Sequence, residues 1–150
     1  MKLAEALIQR SDLQKKIAQL ESRMKQNAKV QEGDEPSEDV EELLKQYNVL
    51  MDELEVLILK INKTNNATSF GDVSLAEAIT KRDCLKNKIR CLRELIESTT
   101  ISMDRYSRCE IKFVRCVDVN KLQGTIDRLS KEFRELDVRM QGLNWTIDVM

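Results

Sequence analysis

Apolar residues recur at alternating intervals of three and four along most of this chain. Leu3, Ala6, Arg10, Leu13, Ile17, Leu20, Met24 and Asn27 set the pattern, and Val40, Leu43, Tyr47, Leu50, Leu54, Leu57 and Ile61 repeat it. It returns in Leu75, Ala78, Arg82, Leu85, Ile89, Leu92, Ile96 and Thr99, and again in Val119, Leu122, Ile126, Leu129, Phe133, Leu136, Met140 and Leu143. A helix turns once every 3.6 residues, so this spacing gathers the apolar side chains into one seam of heptad type. It predicts four long helices, about 3–30, 39–65, 75–99 and 119–144. Their starts carry matching signals. Ser74 with Glu77 and Asp39 with Glu42 have capping-box spacing, and Asp118 is a natural N-cap for the fourth helix.

The first and third helices are copies. Residues 3–20 (LAEALIQRSDLQKKIAQL) align with 75–92 (LAEAITKRDCLKNKIRCL) at an offset of seventy-two, with nine of eighteen positions identical. A fainter echo at an offset of seventy-nine relates Asp39, Val40, Leu43, Leu50, Glu53, Leu57 and Asn65 to Asp118, Val119, Leu122, Leu129, Glu132, Leu136 and Asn144. The fold class expected is therefore mainly all-α: two tandem antiparallel hairpins, repeats 1–66 and 73–146, forming a coiled-coil-like four-helix bundle within a single domain, 1–150.

Between the helices the pattern changes. Residues 110–117 (EIKFVRCV) alternate Ile111, Phe113 and Val117 against Lys112, Val114 and Cys116, which predicts a short strand or β-arm with Ala28 to Gln31 as an extended partner. Residues 32–42 hold seven acidic side chains with Gly33 and Pro36 and read as a solvated loop. Residues 62–73 are rich in Asn, Thr, Ser and Gly, a turn region with Phe70 as its large apolar anchor. The second helix has more apolar residues than one seam needs, since Val56, Leu57, Ile58, Leu59 and Ile61 cover it almost all round. A face of that kind is shared with another element or another chain.

Composition narrows the chemistry. Charged residues make up 34% but nearly cancel, to a net charge of −1, so no bulk attraction to nucleic acid or anionic membrane is expected. Four Gly, one Pro and 4% aromatic residues suit a long-helix protein. No run approaches the ~18 apolar residues of a membrane span, and the N-terminal pattern is unlike a signal peptide, so a cytoplasmic protein is expected. Cys84 and Cys91, and Cys109 and Cys116, are seven apart, which on a helix separates the sulfurs by roughly 10 Å and prevents local chelation. With no His in the chain, no metal site is expected and the thiols read as reduced. No Gly-rich phosphate loop or catalytic constellation appears either, so neither an enzyme nor a cofactor is expected.

Three groups of residues invite a role. Arg10 and Arg82 interrupt the seams at equivalent positions, and antiparallel pairing places them near Glu53 and Glu132. They read as buried ion pairs that set register, or as two pseudo-symmetric guanidinium groups gripping an anion. Arg105, Tyr106, Arg108, Lys112, Phe113 and Arg115 interleave cations with aromatics, a weak single-strand signature, with Phe113 expected to pack inward and the acidic 32–42 loop to neutralise the charge. Asn62, Asn65, Asn144 and Trp145 form a polar group expected at one bundle end, Asn serving caps and turns and Trp145 a plug.

The segments NAKVQEG (27–33), INKTN (61–65), RYSRCEIKFVRCVDV (105–119) and NWT (144–146), set in this helical frame, resemble the septicolysin-like family of small bacterial proteins. The resemblance implies no residue-level chemistry, and by the family's name it implies a cytolysin. The reading that follows is a cytoplasmic helical scaffold that self-associates, a homodimer being favoured, with residues 49–61 in the interface. The alternative is a membrane-active, nucleic-acid-binding or anion-binding module acting through 49–61 or 105–115.

Overall fold

The computed structural model describes residues 1–100 and 111–150. Four helices, α1 (Leu3–Asn27), α2 (Val40–Ala67), α3 (Leu75–Glu97) and α4 (Val119–Asn144), are joined by loops and one two-stranded sheet, β1 (Ser69–Phe70) with β2 (Val73–Ser74). The protein is mainly α-helical, as its apolar spacing predicts. The chain divides into two compact units, 1–76 with 141–150, and 77–140.

In the first unit, α1 and α2 pack as an antiparallel hairpin. Leu3, Ala6, Leu13, Ile17 and Leu20 are buried on one helix, and Leu43, Leu54, Leu57 and Ile61 on the other. The helix α1 stops at Asn27 rather than near 30, because the Asn27 side chain terminates it. Its Nδ2 donates to the Arg23 carbonyl at 2.9 Å while its Oδ1 accepts from the Glu38 amide at 3.1 Å. Arg23 also forks onto Glu38, its Nε 3.0 Å from Oε2 and its Nη2 bonded to Oε1. The acidic loop is thus held to its own hairpin. Within it, Gly33 takes φ 91° inside the turn closed by Asp34 N and Gln31 O, a conformation that costs a residue with a Cβ. Asp39 caps α2 by accepting from the Glu41 amide at 3.0 Å.

The β-element lies at 69–74, not at 111–117, and Glu110 of the expected arm lies outside the described residues. Pairing of Phe70 with Val73 leaves a two-residue turn whose first position, Gly71, has φ 67°, the requirement of a type II′ hairpin turn. Residues 111–117 carry no strand pairing, and Ile111, Phe113 and Val114 are exposed. Alternation alone cannot hold a strand without a ladder partner. The helix α2 also runs further than expected, to Ala67, so Asn62 to Asn66 are helical rather than part of a turn. Thr64 Oγ1 donates back to the Lys60 carbonyl at 2.8 Å, a bond compatible with an uninterrupted helix.

The two chain ends meet in this unit. Lys2 and Asp148 form an antiparallel bridge, with Leu3 N to Ile147 O and Val149 N to Met1 O both at 2.9 Å. Lys2 Nζ reaches Asp148 Oδ2 at 2.9 Å, and Met150 N donates to the fully buried Thr64 Oγ1 at 3.0 Å. The Lys2 hydrogen bond, with the nearby N-terminal amine, holds the Asp148 carboxyl below the usual carboxylate range.

In the second unit, Leu85 and Ile89 of α3 form a core with Ile126 and Leu129 of α4, extended by Leu92, Ile96, Phe133 and Leu136. Asp118 is the N-cap of α4, accepting from the Lys121 amide at 3.1 Å. Beyond α3, Arg115 Nε donates to the Thr99 carbonyl at 3.1 Å, placing a cation where helix carbonyls are left free.

Candidate functional site

The two seam arginines do not have the partners that their register suggests. Arg82 is 25% exposed and is held by two aspartates: Nε and Nη2 donate to Asp83 Oδ1 at 3.1 and 3.0 Å, and Nη1 to Asp137 Oδ1 at 3.3 Å. Glu132 instead binds Lys81 at 3.1 Å. Arg10 is part-buried, and its Nε is shielded from solvent with no acceptor among the described residues. Glu53 makes no ion pair with it. Glu53 lines a groove of about 600 Å³ with Gln9, Leu13, Asp52, Val56 and Lys60, and Arg10 is not among the residues that line it.

The duplication explains the difference between the arginines. At the offsets of seventy-two and seventy-nine, Asp83 corresponds to Ser11 and Asp137 to Ile58. Both carboxylates that hold Arg82 are therefore missing around Arg10. The repeated Glu53 and Glu132 are not the arginine partners in either copy. Glu132 and the observed partner Asp137 are five positions apart, about 140° around the helix, enough to put them on different faces.

Polar residues at the end of α4 are also rearranged. Asn144 is buried, whereas Trp145 is 57% exposed and plugs nothing. After Asn144 the chain turns through bonds from Thr146 N and Ile147 N to the Leu143 carbonyl, which send the tail inward and leave Trp145 outside. Asn65 is part-buried and Asn62 exposed. Thr64, expected with the neighbouring asparagines to serve caps and turns, is instead the buried anchor here, and its place on the α2 seam is the signal that marks it.

Of the basic and aromatic loop, Arg105, Tyr106 and Arg108 lie outside the described residues. Lys112, Phe113 and Arg115 are exposed, Phe113 by 83%, so this ring does not pack inward. Thr99, Thr100, Phe113 and Arg115 border a hollow of about 420 Å³. In the acidic loop, Glu38 is neutralised by Arg23 of its own hairpin, and the guanidinium hydrogen bond holds its carboxyl below the usual range.

Two surfaces stand out, one in each unit. The outward half of α2 exposes Leu44, Val49, Met51, Val56 and Leu59, the last by 60%. Between α3 and α4 runs an open groove of about 790 Å³ with Ile89, Phe133 and Val138 as apolar lining, and with Lys86, Arg90, Arg93 and Arg134 interleaved with Glu94, Glu97 and Asp137. Arg90 is paired with Glu94 at 2.9 Å, but among the described residues Lys86, Arg93 and Arg134 have no carboxylate within ion-pair distance. Ser130 Oγ, buried in the groove wall, has no hydrogen-bond partner. Cys84, Cys91 and Cys116 are exposed free thiols, and among the described residues no group of three acidic or cysteine side chains could hold a metal ion. No helix among them is long and apolar enough to cross a membrane.

A crystal structure of a functionally unknown conserved protein from Corynebacterium diphtheriae is similar over 100% of this chain and 99% of its own, at 39% identity and a TM-score of 0.87. No curated protein matches the sequence. Neither the structural neighbour nor the matching family model carries the septicolysin name. Residues 10–149 match the model of DUF6847, a family of unknown function, and the chain belongs to that family.

Proposed function

We propose that this protein is a non-enzymatic helical interaction protein that self-associates, with the outward half of α2 in the contact. The observation that carries the reading is the second apolar set on that helix. Leu43, Leu54, Leu57 and Ile61 already supply the seam against α1, so Leu44, Val49, Met51, Val56 and Leu59 are surplus to the hairpin. Together they expose on the order of 400 Å² of apolar surface, the size of the largest patch on a typical monomer, which is often functional. A standard interface takes roughly 800 Å² from each partner, a little more than half of it apolar. The patch is thus of the size that a dimer needs. A reducing cytoplasmic setting suits the three thiols exposed among the described residues.

Light scattering on the full chain at micromolar concentration is expected to give twice the monomer mass of 17.4 kDa. Val56→Lys with Leu59→Lys should return it to the monomer. A monomeric wild-type protein would overturn the reading. The membrane-active alternative, which the septicolysin-like resemblance implies, would use the same face, and dye release from anionic vesicles by a monomeric protein would favour it.

A further inference from the structure

We infer that α2 pairs in parallel with α2 of a second copy of this chain, through a second heptad seam of its own. The inference rests on the self-association proposed above and gives it a direction and a register. Leu44, Asn48, Met51, Glu55, Ile58, Asn62 and Asn65 recur at alternating intervals of four and three along α2. They span three heptads, about 32 Å of helix. Around the helix this row lies about 100° from the seam of Leu43, Leu54, Leu57 and Ile61 that packs on α1, so one helix serves both contacts at once. Ile58 and Asn65 are part-buried and the other five are exposed. Leu59 borders the row, whereas Val49 and Val56 lie beyond Leu59 and outside it.

The hairpin itself does not require this row. At the offset of seventy-nine its apolar members Leu44, Met51 and Ile58 correspond to Gln123, Ser130 and Asp137 on α4, and its other members are polar in both copies. The second hairpin thus forms the same two helices without apolar residues at these places. With Leu59 and the polar members, the row offers on the order of 600 Å², the lower end of what a specific interface takes from each partner.

The order of residues within the row selects the partner and its direction. Leu44, Met51 and Ile58 occupy one heptad position, and Asn48, Glu55 and Asn62 the other. When two copies of one helix pair in parallel, each residue meets its own counterpart across the two-fold axis. Leu44, Met51 and Ile58 then form apolar layers, and the asparagines bond amide to amide between them. An antiparallel pair sets one heptad position against the other, so that every apolar member of the row faces Asn or Glu and the asparagine amides are left without partners. The Glu55 layer alone opposes the parallel arrangement, because two carboxylates meet there.

Cross-linking tests the direction. In a full chain with Cys84, Cys91, Cys109 and Cys116 changed to Ser, Asn48→Cys and Asn62→Cys should each yield a disulfide-linked dimer on oxidation with copper phenanthroline. The two sites are about 21 Å apart along the helix, so no antiparallel register brings both to their counterparts. Lys60→Cys, on the flank away from the row, should stay unlinked, and helical circular dichroism should be unchanged in all three. The Glu55 layer gives a second reading. Mixed with wild type, Glu55→Lys should form mixed dimers in excess of the statistical share in native mass spectrometry, since only the mixed dimer pairs unlike charges. If the wild type dimerises but only one asparagine site links, or neither does, or Lys60→Cys links as readily, or the mixing is statistical, the parallel pairing falls while self-association through α2 stands. A wild type that is monomeric at every concentration overturns both.

Discussion

At the scale of single residues, the two seam arginines form an internal control. Arg82 has Asp83 and Asp137; Arg10 has Ser11 and Ile58 at the corresponding positions and a buried Nε without an acceptor among the described residues. Leaving a buried donor unpaired costs about 1–3 kcal/mol, whereas a paired arginine at a part-buried site contributes modestly. The same substitution should therefore have opposite signs at the two sites. Arg10→Leu is expected to leave stability unchanged or raise it by about 1 kcal/mol, and Arg82→Leu to lower it by about 1 kcal/mol through the carboxylates left behind. Urea unfolding of both variants measures the difference. Equal destabilisation at both sites would mean that Arg10 has a partner after all.

At the scale of elements, the α1–α2 loop is kept short of disorder by a small polar cluster rather than by apolar packing. Asn27 ends α1 and binds the Glu38 amide, while Arg23 forks onto the Glu38 carboxylate. The hydrogen bond from Arg23 lowers the folded-state pKa of Glu38, so the contact stabilises the loop above the ordinary carboxylate range and is lost as pH falls through the depressed value. In an NMR titration the Glu38 carboxyl is expected to have a midpoint below that of a solvated glutamate. Arg23→Gln should move it up to the ordinary value and speed amide exchange in residues 31–38. An unchanged midpoint would show that the ion pair does not persist in solution.

At the scale of the molecule, residues 1 and 150 belong to one unit although they are 149 positions apart in sequence. Removing the tail takes the acceptor from one backbone donor, Leu3 N, and the donors from two acceptors, Met1 O and Thr64 Oγ1. Deleting residues 147–150 is expected to lower the midpoint of thermal unfolding by several degrees, since about 1 kcal/mol is worth roughly 2–8 °C over domains of this size range. Calorimetry would register it, and limited proteolysis should then open the chain near Met1. A deletion without effect would reduce the clasp to a surface contact.

Helix existence, approximate ends, hairpin partners and the caps at Asp39 and Asp118 were legible from the order of residues alone, because each depends on neighbours within about one or two turns. The duplication added which helices share a partner face. Three-dimensional contacts decided the rest. Arg82 selects Asp137 over Glu132 because the two lie five positions apart, about 140° around the helix, and the apolar seam constrains register more tightly than it constrains the flanking charges. The apparent β-arm at 111–117 has the right alternation but no ladder, whereas 69–74 has a glycine where a tight hairpin turn demands it. Trp145 outside and the tail across the N-terminus follow from where residues distant along the chain come together. No local pattern encodes that, because such contacts become favourable only once both helices of the hairpin are already in place.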